Sequence, residues 1–343
     1  MRTLLIDVDS KIENLALMKL SRFHQNKGDS TNLALMNLSA RLKRDRVESG
    51  FPIETPNKIY VSCIFQQNLQ KAKELKERFP NSDFNLGGPA LWEPNHIPEE
   101  AEHLMPDYNL YPNMNYSMGY TSRGCPNNCP FCIVPKLEGS FYEYAPISEF
   151  HNPDFRNLLL FDNNFFYSKL WDKKIDYIEE GGLRVSLFQG IDARTITTEK
   201  ILRLKDIGAY NRTFKRKCYY FSWDLMTSSD KVIQGLQTVI DAGIKPYQIM
   251  VYVLVGFNTT HLQDYYRFKV LREMGVDPFI MKYNGRKDDE FLNHLARWII
   301  KRVYKSDSFS NYKPLSDELR REVQEIEVKT DEILLEPKTL YSL

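Results

Sequence analysis

The sequence lacks a charge excess of either sign, has few cysteines and contains no long apolar run. Its 46 lysines and arginines against 45 aspartates and glutamates leave a formal net charge of +1, so no overall field would attract a polyanion. Five cysteines in 343 residues are too few for the disulfide framework of a small secreted protein. No apolar stretch approaches the roughly 20 residues that a membrane-spanning helix needs.

The N-terminal run MRTLLIDVDS is also unlike a targeting segment. Its apolar part ends at Asp7, which is too early for a signal-peptide core, and no small-residue cleavage site follows. We therefore expect a protein of the reducing cytoplasm, with no membrane partner.

The composition and the order of apolar runs predict an α/β protein. Hydrophobic residues make up 42% of the chain and charged residues 27%, which suits a globular core. The runs TLLIDV, KIYVSCIF and DFNLGG predict strands, and ENLALMKLSRFH and LQKAKELKERF predict helices between them. This order indicates a small parallel sheet, and the proline-rich stretch 89–112 indicates a connector.

One segment of this first part is duplicated. ENLALMKLS at 13–21 recurs as TNLALMNLS at 31–39. We predict two similar amphipathic helices, the second following a break at Gly28 and Asp29 and capped by Thr31 or Asn32.

The second part of the chain, from residue 113 to about 305, repeats the strand–helix alternation. Six apolar runs predict strands: YSMGYT, NLLLFD, LRVSLFQG, KCYYFSWD, QIMVYVLVGF and DPFIMKY. TTEKILRLKDIG, SSDKVIQGLQTVIDAG and HLQDYYRFKVLREMG predict helices between the later strands, and DDEFLNHLARWIIKRVYK predicts a closing helix. Parallel strands joined in this way predict a barrel-like sheet with its site on the loops after the strands. Residues 306–343 are more charged and less periodic, and we assign them to a C-terminal tail.

Three of the five cysteines lie together in SRGCPNNCPFCIVP, on the loop after the first of these six strands. Cys125, Cys129 and Cys132 have the spacing C-x3-C-x2-C, and the prolines and asparagines between them predict a turning loop rather than a helix. A disulfide would leave an odd thiol. A structural zinc ion normally takes four ligands, and the nearest histidine, His151, stands alone. Three thiolates better fit an iron–sulfur cluster with one iron open to an outside ligand.

The other two cysteines and the basic runs have simpler interpretations. Cys63 and Cys218 fall inside apolar strand runs, so we predict that both belong to the core. The runs RLKRDR at 41–46 and FKRKC at 214–218 could touch phosphates, but we favour a solvated helix face or loop for both.

The motif RGCPNNCPFC, with an aromatic residue before the third cysteine, resembles the radical S-adenosylmethionine (radical SAM) superfamily. The resemblance implies a partial six-stranded (β/α) barrel and a [4Fe–4S] cluster on Cys125, Cys129 and Cys132. It also implies an enzyme in which the cluster reductively cleaves S-adenosylmethionine, and the resulting 5′-deoxyadenosyl radical abstracts hydrogen from an unknown substrate. An electron donor such as a flavodoxin or ferredoxin would be a partner.

The same resemblance implies residues that bind S-adenosylmethionine near the cysteine loop. Phe131 would flank the adenine. The superfamily often has Gly-Gly-Glu after its second barrel strand, whereas this chain has FDNNFF, so Asp162 and Asn163 would contact the amino group instead.

Further cofactor-binding residues are implied after the later strands. After the third strand the resemblance implies Gln189, Asp192 and Arg194, with Arg194 suited to the methionine carboxylate and Asp192 to a ribose hydroxyl. A plain Arg–Asp surface pair is the alternative. Trp223 ends the fourth strand, with a core role as its alternative, and Gly256 ends the fifth, where it would leave room beside the adenine.

The N-terminal part has a resemblance of its own. DFNLGGPALWEPNHIPEEAEHLMPDYNLYP is similar to the end of the Rossmann-like cobalamin-binding domain that precedes many radical SAM barrels, where Gly87 and Gly88 would let a flat ligand approach. The motif Asp-x-His-x-x-Gly, which supplies a cobalt ligand, is absent, and His24, His96 and His103 do not replace it. Cobalamin is therefore not favoured. As a whole, the chain resembles uncharacterised bacterial and phage radical SAM proteins.

We accordingly divide the chain into a Rossmann-like domain with its connector (1–112), a radical SAM partial barrel (113–305) and a C-terminal tail (306–343). Two other functions remain open. A metal-stapled module could bind nucleic acid on an aromatic-rich surface, although the neutral charge and the lack of a fourth ligand count against it. A degenerate barrel could serve only as an interaction protein, although the intact cysteine triad counts against that.

Overall fold

The structure, a computed structural model, describes residues 1–38, 48–286 and 288–335. The chain divides into two compact units, Met1–Asn163 and Asn164–Leu343. Each unit contains parallel strands and helices, so the α/β class predicted from the sequence is confirmed.

The first unit begins with a four-stranded parallel sheet in the order β2-β1-β3-β4. Its strands and helices are β1 (Arg2–Asp7), α1 (Leu15–Asn26), β2 (Ser30–Leu35), β3 (Lys58–Ser62), α2 (Leu69–Arg78) and β4 (Asp83–Gly87). Residues of β1 alternate between two cores, because successive side chains of a strand point to opposite faces. Leu4 and Ile6 pack in the cluster that contains Leu75 of α2, whereas Leu5 packs with Leu17 of α1. Both faces of the sheet are therefore covered.

The second copy of the duplicated segment is a strand, so the predicted helix over 31–39 is wrong. β2 pairs in parallel with β1, with Thr31 opposite Thr3 and Leu33 opposite Leu5. This pairing gives the backbone of 30–35 its hydrogen bonds at the edge of the sheet, and it overrides the helical pattern of the side chains. Ser39, the last residue of the predicted helix, and the basic run 41–46 lie outside the described residues.

The remainder of the first unit carries the cysteine loop. Its elements are α3 (Glu99–Glu102), β5 (Tyr116–Gly119), β6 (Ser122–Arg123), α4 (Val134–Leu137), β7 (Tyr142–Glu143) and β8 (Asn157–Leu160). β5 pairs in parallel with β8, and the short strands β6 and β7 pair antiparallel. The cysteines lie between β6 and α4.

The second unit contains a parallel sheet in the order β10-β11-β12. Its elements are α5 (Trp171–Glu180), β9 (Arg184–Ser186), α6 (Thr198–Ile207), β10 (Tyr219–Trp223), α7 (Ser229–Asp241), β11 (Ile249–Val255), α8 (His261–Glu273), β12 (Asp277–Lys282), α9 (Glu290–Ile300) and α10 (Asp317–Leu335). Two of these helices begin with a side-chain cap: Thr197 accepts from the backbone N–H of Lys200 at α6, and Thr260 forms a capping box with Gln263 at α8.

All six strands predicted between 113 and 305 are present as β5, β8, β9, β10, β11 and β12, and α6, α7, α8 and α9 are the predicted helices. Among the described residues of the second unit, α5 and α10 are helices that the sequence analysis did not predict. In α10 the buried residues Leu319, Val323 and Ile326 share one face. Part of the segment assigned to a tail is therefore a packed helix. Closure of the six strands into one barrel stays a prediction.

Among the described residues no helix combines the length and the apolar character needed to cross a membrane.

Candidate functional site

The cysteine loop is closed at its base by the pairing of β6 with β7. Ser122 lies opposite Glu143 and Arg123 opposite Tyr142. Gly124, the next residue, has φ of +67°, and a Cβ added there would lie 2.2 Å from the carbonyl oxygen of Ser140. Only glycine permits both this conformation and this close approach. The two ends of the loop therefore meet directly before Cys125.

The three cysteines of the loop differ from the other two in their exposure. Cys125, Cys129 and Cys132 are half-buried, and the N–H of Cys132 donates to the carbonyl of Cys129 at 3.0 Å in a tight turn. Cys63 and Cys218 are buried, as the sequence predicts. Burial, with the nearby charge of Asp9, raises the pKa of the Cys63 thiol to about 12, and burial also raises that of Cys218. Because metals bind the thiolate, Cys63 and Cys218 are poor ligands.

The donor set suits a cluster better than a single ion. Within residues 1–38, 48–286 and 288–335, no three His, Cys, Asp or Glu side chains are grouped so that they could hold a metal ion. A cluster differs from a single ion in that its sulfur ligands bind separate iron atoms. Cys125, Cys129 and Cys132, half-buried on one turning loop, form a donor set whose chemistry fits a [4Fe–4S] group.

A carboxylate that the sequence analysis missed joins the two ends of the loop. Oε2 of Glu138, directly after α4, accepts from the backbone N–H of Gly124 at 2.9 Å and from Nδ2 of Asn163 at 3.0 Å. Nε of Arg123 lies 3.6 Å from the same oxygen. Glu138 follows the last cysteine by one short helix, but no motif marks it in the sequence.

Arg123 is held beside this carboxylate by two aromatic rings. Its guanidinium lies 4.7 Å from the ring centre of Tyr120 and 5.5 Å from that of Tyr144. Burial raises the pKa of Tyr120 to about 12, so this phenol stays neutral at physiological pH. The base of the cysteine loop therefore contains a fixed positive charge next to a fixed negative charge.

Asp162 and Asn163, the predicted contacts for the amino group of S-adenosylmethionine, lie directly after β8. Asp162 is 4% exposed and accepts from the backbone N–H of Thr121 at 3.0 Å, from Oγ of Ser122 at 2.6 Å and from the hydroxyl of Thr121. Its carboxylate thus fixes the turn between β5 and β6, which sets the start of the cysteine loop. Phe131 lies half-buried next to Cys132.

In the second unit, Asp192 and Arg194 form a two-point ion pair. Nε and Nη2 of Arg194 each donate to a different oxygen of Asp192 at 2.7 Å. Asp192 also accepts from the backbone N–H of Arg194 at 3.1 Å. This geometry holds the guanidinium in one orientation. Gln189, in the same loop, is exposed to solvent.

Asp224 follows β10, and the charges of Asp192 and Arg194 influence the pKa of its carboxyl group. Burial raises the pKa of its carboxyl to about 6, while the positive charges of Arg267 and Arg194 limit the rise. A carboxyl group with a pKa in this range exchanges its proton near neutral pH, which is more common at functional sites than elsewhere.

Trp223 and Gly256, which lie at the ends of β10 and β11, are joined by a buried ion pair that the sequence analysis also missed. Arg267 and Asp264 of α8 are fully buried and lie 2.5 Å apart. Arg267 donates to the carbonyl oxygens of Trp223 and Leu254 at 3.0 and 2.7 Å. Asp264 accepts from the N–H of Gly256 at 3.0 Å. Trp223 itself is fully buried, as in its core alternative.

The space beside Gly256 is occupied by residues of the same unit. Its φ is +72°, and a Cβ there would lie 2.5 Å from Cδ1 of Leu292. Nη1 of Arg286 donates to its carbonyl oxygen at 2.9 Å. The glycine is therefore required by packing within the unit, and its predicted place beside an adenine is untested.

One face of the sheet β10-β11-β12 presents aromatic side chains to solvent. Tyr252 lies opposite Phe279 in register, and their rings meet edge to face at 5.7 Å. Tyr252 stacks on Tyr220 at 5.5 Å. Phe279 is 36% exposed and Met281 is 37% exposed, although both belong to a strand. This face therefore leaves apolar surface accessible.

At the carboxyl ends of β1 and β3, the acidic residues are engaged by the first unit itself. Asp9 is 1% exposed and accepts from the backbone N–H groups of Ile64 and Phe65 at 2.7 and 3.1 Å. Asp7 accepts from the N–H of Ser10 at 3.0 Å and from the hydroxyl of Tyr111 at 2.7 Å. Both aspartates therefore stabilise the loops that follow the strands.

His24, the first of the three N-terminal histidines, is buried with both ring nitrogens in contact with other side chains. Nδ1 lies 2.7 Å from Asp29 and Nε2 lies 3.3 Å from the hydroxyl of Tyr60. His103 is exposed and its Nδ1 lies 3.0 Å from Glu149. His96 is exposed in the proline-rich connector.

Comparison with known proteins reveals similarity in structure but not in sequence. No protein-family model matches the chain, and no curated protein matches it in sequence. The radical S-adenosylmethionine methyltransferase TsrM from Kitasatospora setae, solved with cobalamin and a [4Fe–4S] cluster bound, is similar with a TM-score of 0.57 at 10% identity, over 82% of this chain and 74% of that one. TsrM solved with its tryptophan substrate and the analogue aza-SAM gives a TM-score of 0.55 at 10% identity, over 82% and 73%.

At 10% sequence identity, the similarity to TsrM establishes a shared fold but not a shared activity or substrate. The chain therefore shares the fold of TsrM.

Proposed function

We propose that the protein is a radical SAM enzyme whose [4Fe–4S] cluster is bound by Cys125, Cys129 and Cys132. The observation that carries this proposal is the closed loop that presents three half-buried thiols while the other two cysteines are buried. The fold shared with TsrM supports it.

The bound cluster would supply one electron, received from a donor such as a flavodoxin or ferredoxin, to split S-adenosylmethionine into methionine and a 5′-deoxyadenosyl radical, which takes a hydrogen atom from the substrate. The protein's own residues hold and orient the cofactors. Arg194, fixed by Asp192, would bind the methionine carboxylate. The resemblance proposes six further S-adenosylmethionine contacts: Phe131, Asp162 and Asn163 in the first unit, and Gln189, Trp223 and Gly256 in the second.

We also propose a role for each part of the chain. Residues 113–305 would form the catalytic partial barrel and residues 1–112 a Rossmann-like domain. The substrate is unidentified, and the accessible aromatic face around Tyr252 and Phe279 is the surface on which we expect it to rest. We propose that the protein acts in the cytoplasm, because cysteine thiols stay reduced there and can bind a cluster.

We propose that no histidine of residues 1–112 coordinates cobalt, although TsrM binds cobalamin. Both ring nitrogens of His24 contact other side chains, Asp29 and Tyr60. To bind cobalt, this histidine would have to break a buried hydrogen bond, which supports the proposal.

Anaerobic reconstitution with iron and sulfide tests the proposal. We expect broad absorption in the visible blue and, after chemical reduction with S-adenosylmethionine, release of 5′-deoxyadenosine. Cys129→Ala should abolish both signals, whereas Cys218→Ala, a buried control, should retain iron. Full iron retention by Cys129→Ala, or loss of iron from Cys218→Ala in a folded protein, would contradict the assignment. Zinc or nucleic-acid binding without 5′-deoxyadenosine would favour the metal-stapled module, and a folded protein that binds no metal would favour the degenerate barrel.

A further inference from the structure

The carboxylate of Glu138 lies where the two ends of the cysteine loop meet. It accepts from the N–H of Gly124, the residue before Cys125, at 2.9 Å. Its own backbone N–H donates to the carbonyl of Val134 at 2.8 Å, which places Glu138 at the end of the helix that follows Cys132. One side chain therefore links the segment before the first cysteine to the segment after the last.

A third segment of the chain, which follows β8, also contacts Oε2 of Glu138. Nδ2 of Asn163 donates to Oε2 of Glu138 at 3.0 Å and lies 3.4 Å from the carbonyl oxygen of Gly124. Asn163 follows β8, so the loop is fastened to the parallel pair β5 and β8 as well as to itself. The Glu138 side chain is only 14% exposed, so solvent competes little for these hydrogen bonds.

The charge of Glu138 is also balanced locally. Nε of Arg123 lies 3.6 Å from Oε2, and the guanidinium is held between the rings of Tyr120 and Tyr144. Loss of the carboxylate charge would remove one of the two acidic charges that act on this cation, two residues from Cys125, and leave that of Glu102.

We propose that Glu138 is a positioning residue that holds the cysteine loop in its ligand-presenting form and sets the electrostatic environment of the cluster through Arg123. The inference rests on the proposed function. It makes two separable predictions, because Glu138 contributes both a hydrogen-bond acceptor and a negative charge.

Two substitutions separate these contributions. Glu138→Gln keeps an acceptor oxygen for Gly124 and Asn163 but removes the charge. We expect near-normal iron content and a less negative reduction potential, because the loss of a nearby negative charge favours the reduced, more negative cluster. Glu138→Ala removes both contributions. We expect it to lose iron to a chelator roughly 10-fold faster or more, in line with other residues that orient metal ligands.

The matched controls are Glu77→Gln and Glu77→Ala, on the exposed face of α2, which remove the same charge elsewhere in the first unit. Both should behave as wild type. Hydrogen exchange of the Gly124 amide in metal-free protein gives a readout independent of the cluster: it should be faster in Glu138→Ala and near wild type in Glu138→Gln.

The outcomes are distinguishable. Wild-type protein that takes up no iron would overturn the proposed function and this inference together. Wild-type protein that loads a cluster, with a Glu138→Ala variant that retains iron and protects the Gly124 amide equally well, would overturn the inference alone. An unchanged reduction potential in Glu138→Gln would overturn the inference that Glu138 sets the electrostatic environment of the cluster.

Discussion

The carbonyl oxygen of Cys63 occupies the position where Gly88 would carry a side chain: a Cβ added to Gly88 would lie 2.3 Å from it. Gly88 has φ of +108° and ψ of 164°, a conformation that is almost exclusive to glycine. Gly88 is therefore required by the close contact between the backbone after β3 and the backbone after β4.

Gly88→Ala should lower the free energy of unfolding by about 3 kcal/mol or more, because backbone strain and a steric clash add. Gly28→Ala is the matched control, since Gly28 has φ of +77° but nothing within 4 Å of an added Cβ. It should cost only the strain, about 1–2 kcal/mol. Denaturant unfolding measures both, and equal losses in the two variants would contradict the clash.

Arg194→Ala should weaken S-adenosylmethionine binding by about 10-fold or more, because a charge-assisted hydrogen bond is lost. The cluster should remain intact, as judged by its absorption. Arg203→Ala is the control: that guanidinium lies against Asp172, Asp176 and Glu179 on the surface of α5 and α6. Equilibrium dialysis with labelled S-adenosylmethionine measures the dissociation constant. If Arg194→Ala binds as well as wild type, the plain surface pair is the correct interpretation.

His261 should make the second unit less stable as the pH rises above neutrality. Burial opposes charging of its imidazole, but hydrogen bonds to Glu322 of α10 at 2.6 Å and to Asp289 at 3.2 Å outweigh burial and raise its pKa. The folded protein then holds more protons than the unfolded chain above a pH of about 6.5. Its stabilisation is complete below that pH and is lost as the pH rises through the raised pKa.

The comparison for this prediction is His261→Gln, which retains hydrogen bonding but does not titrate. The difference in unfolding free energy between wild type and variant should shrink with rising pH, and hydrogen exchange in α10 should increase in parallel. A difference that stays constant between pH 6 and 9 would show that the imidazolium does not hold α10.

Protein purified from cells supplied with hydroxocobalamin should carry no cobalt coordinated by a protein nitrogen. The physical reason is the buried contact of His24 with Asp29 and Tyr60. Cobalt analysis with electron paramagnetic resonance makes the measurement, and His24→Phe and His103→Ala assign any nitrogen signal. Stoichiometric cobalt with a protein nitrogen ligand that disappears in either variant would refute the prediction.

The duplicated segment shows where local sequence stops predicting structure. In the first copy, Oδ1 of Asn14 accepts from the N–H of Leu17 at 3.2 Å and caps α1. In the second copy the equivalent Asn32 instead donates to the carbonyl oxygen of Gly50 at 2.5 Å, because its strand pairs with β1. The side-chain pattern is shared, but a neighbouring strand is available to only one copy. Strand partners are distant in sequence and leave no local signal.

The residues of the candidate site also differ in whether the local sequence predicts them. The cysteine spacing and its turn formers are local, so the turning cysteine loop and the fold class could be predicted from the sequence. Glu138, and the buried pair Asp264 and Arg267, act on backbone groups that the fold brings to them. An acidic residue after a short helix, or an Asp–Arg spacing within a helix, is too common to mark a site. The helix α10 was missed because its apolar face is narrow and lies between charged residues.

The paired strands β6 and β7 give the cysteine loop a closed base made only of protein contacts. Part of the chain entropy of the cysteine loop is therefore lost when the protein folds. Under the proposed function, a cluster on this loop would therefore bind and leave without any need for the chain to refold.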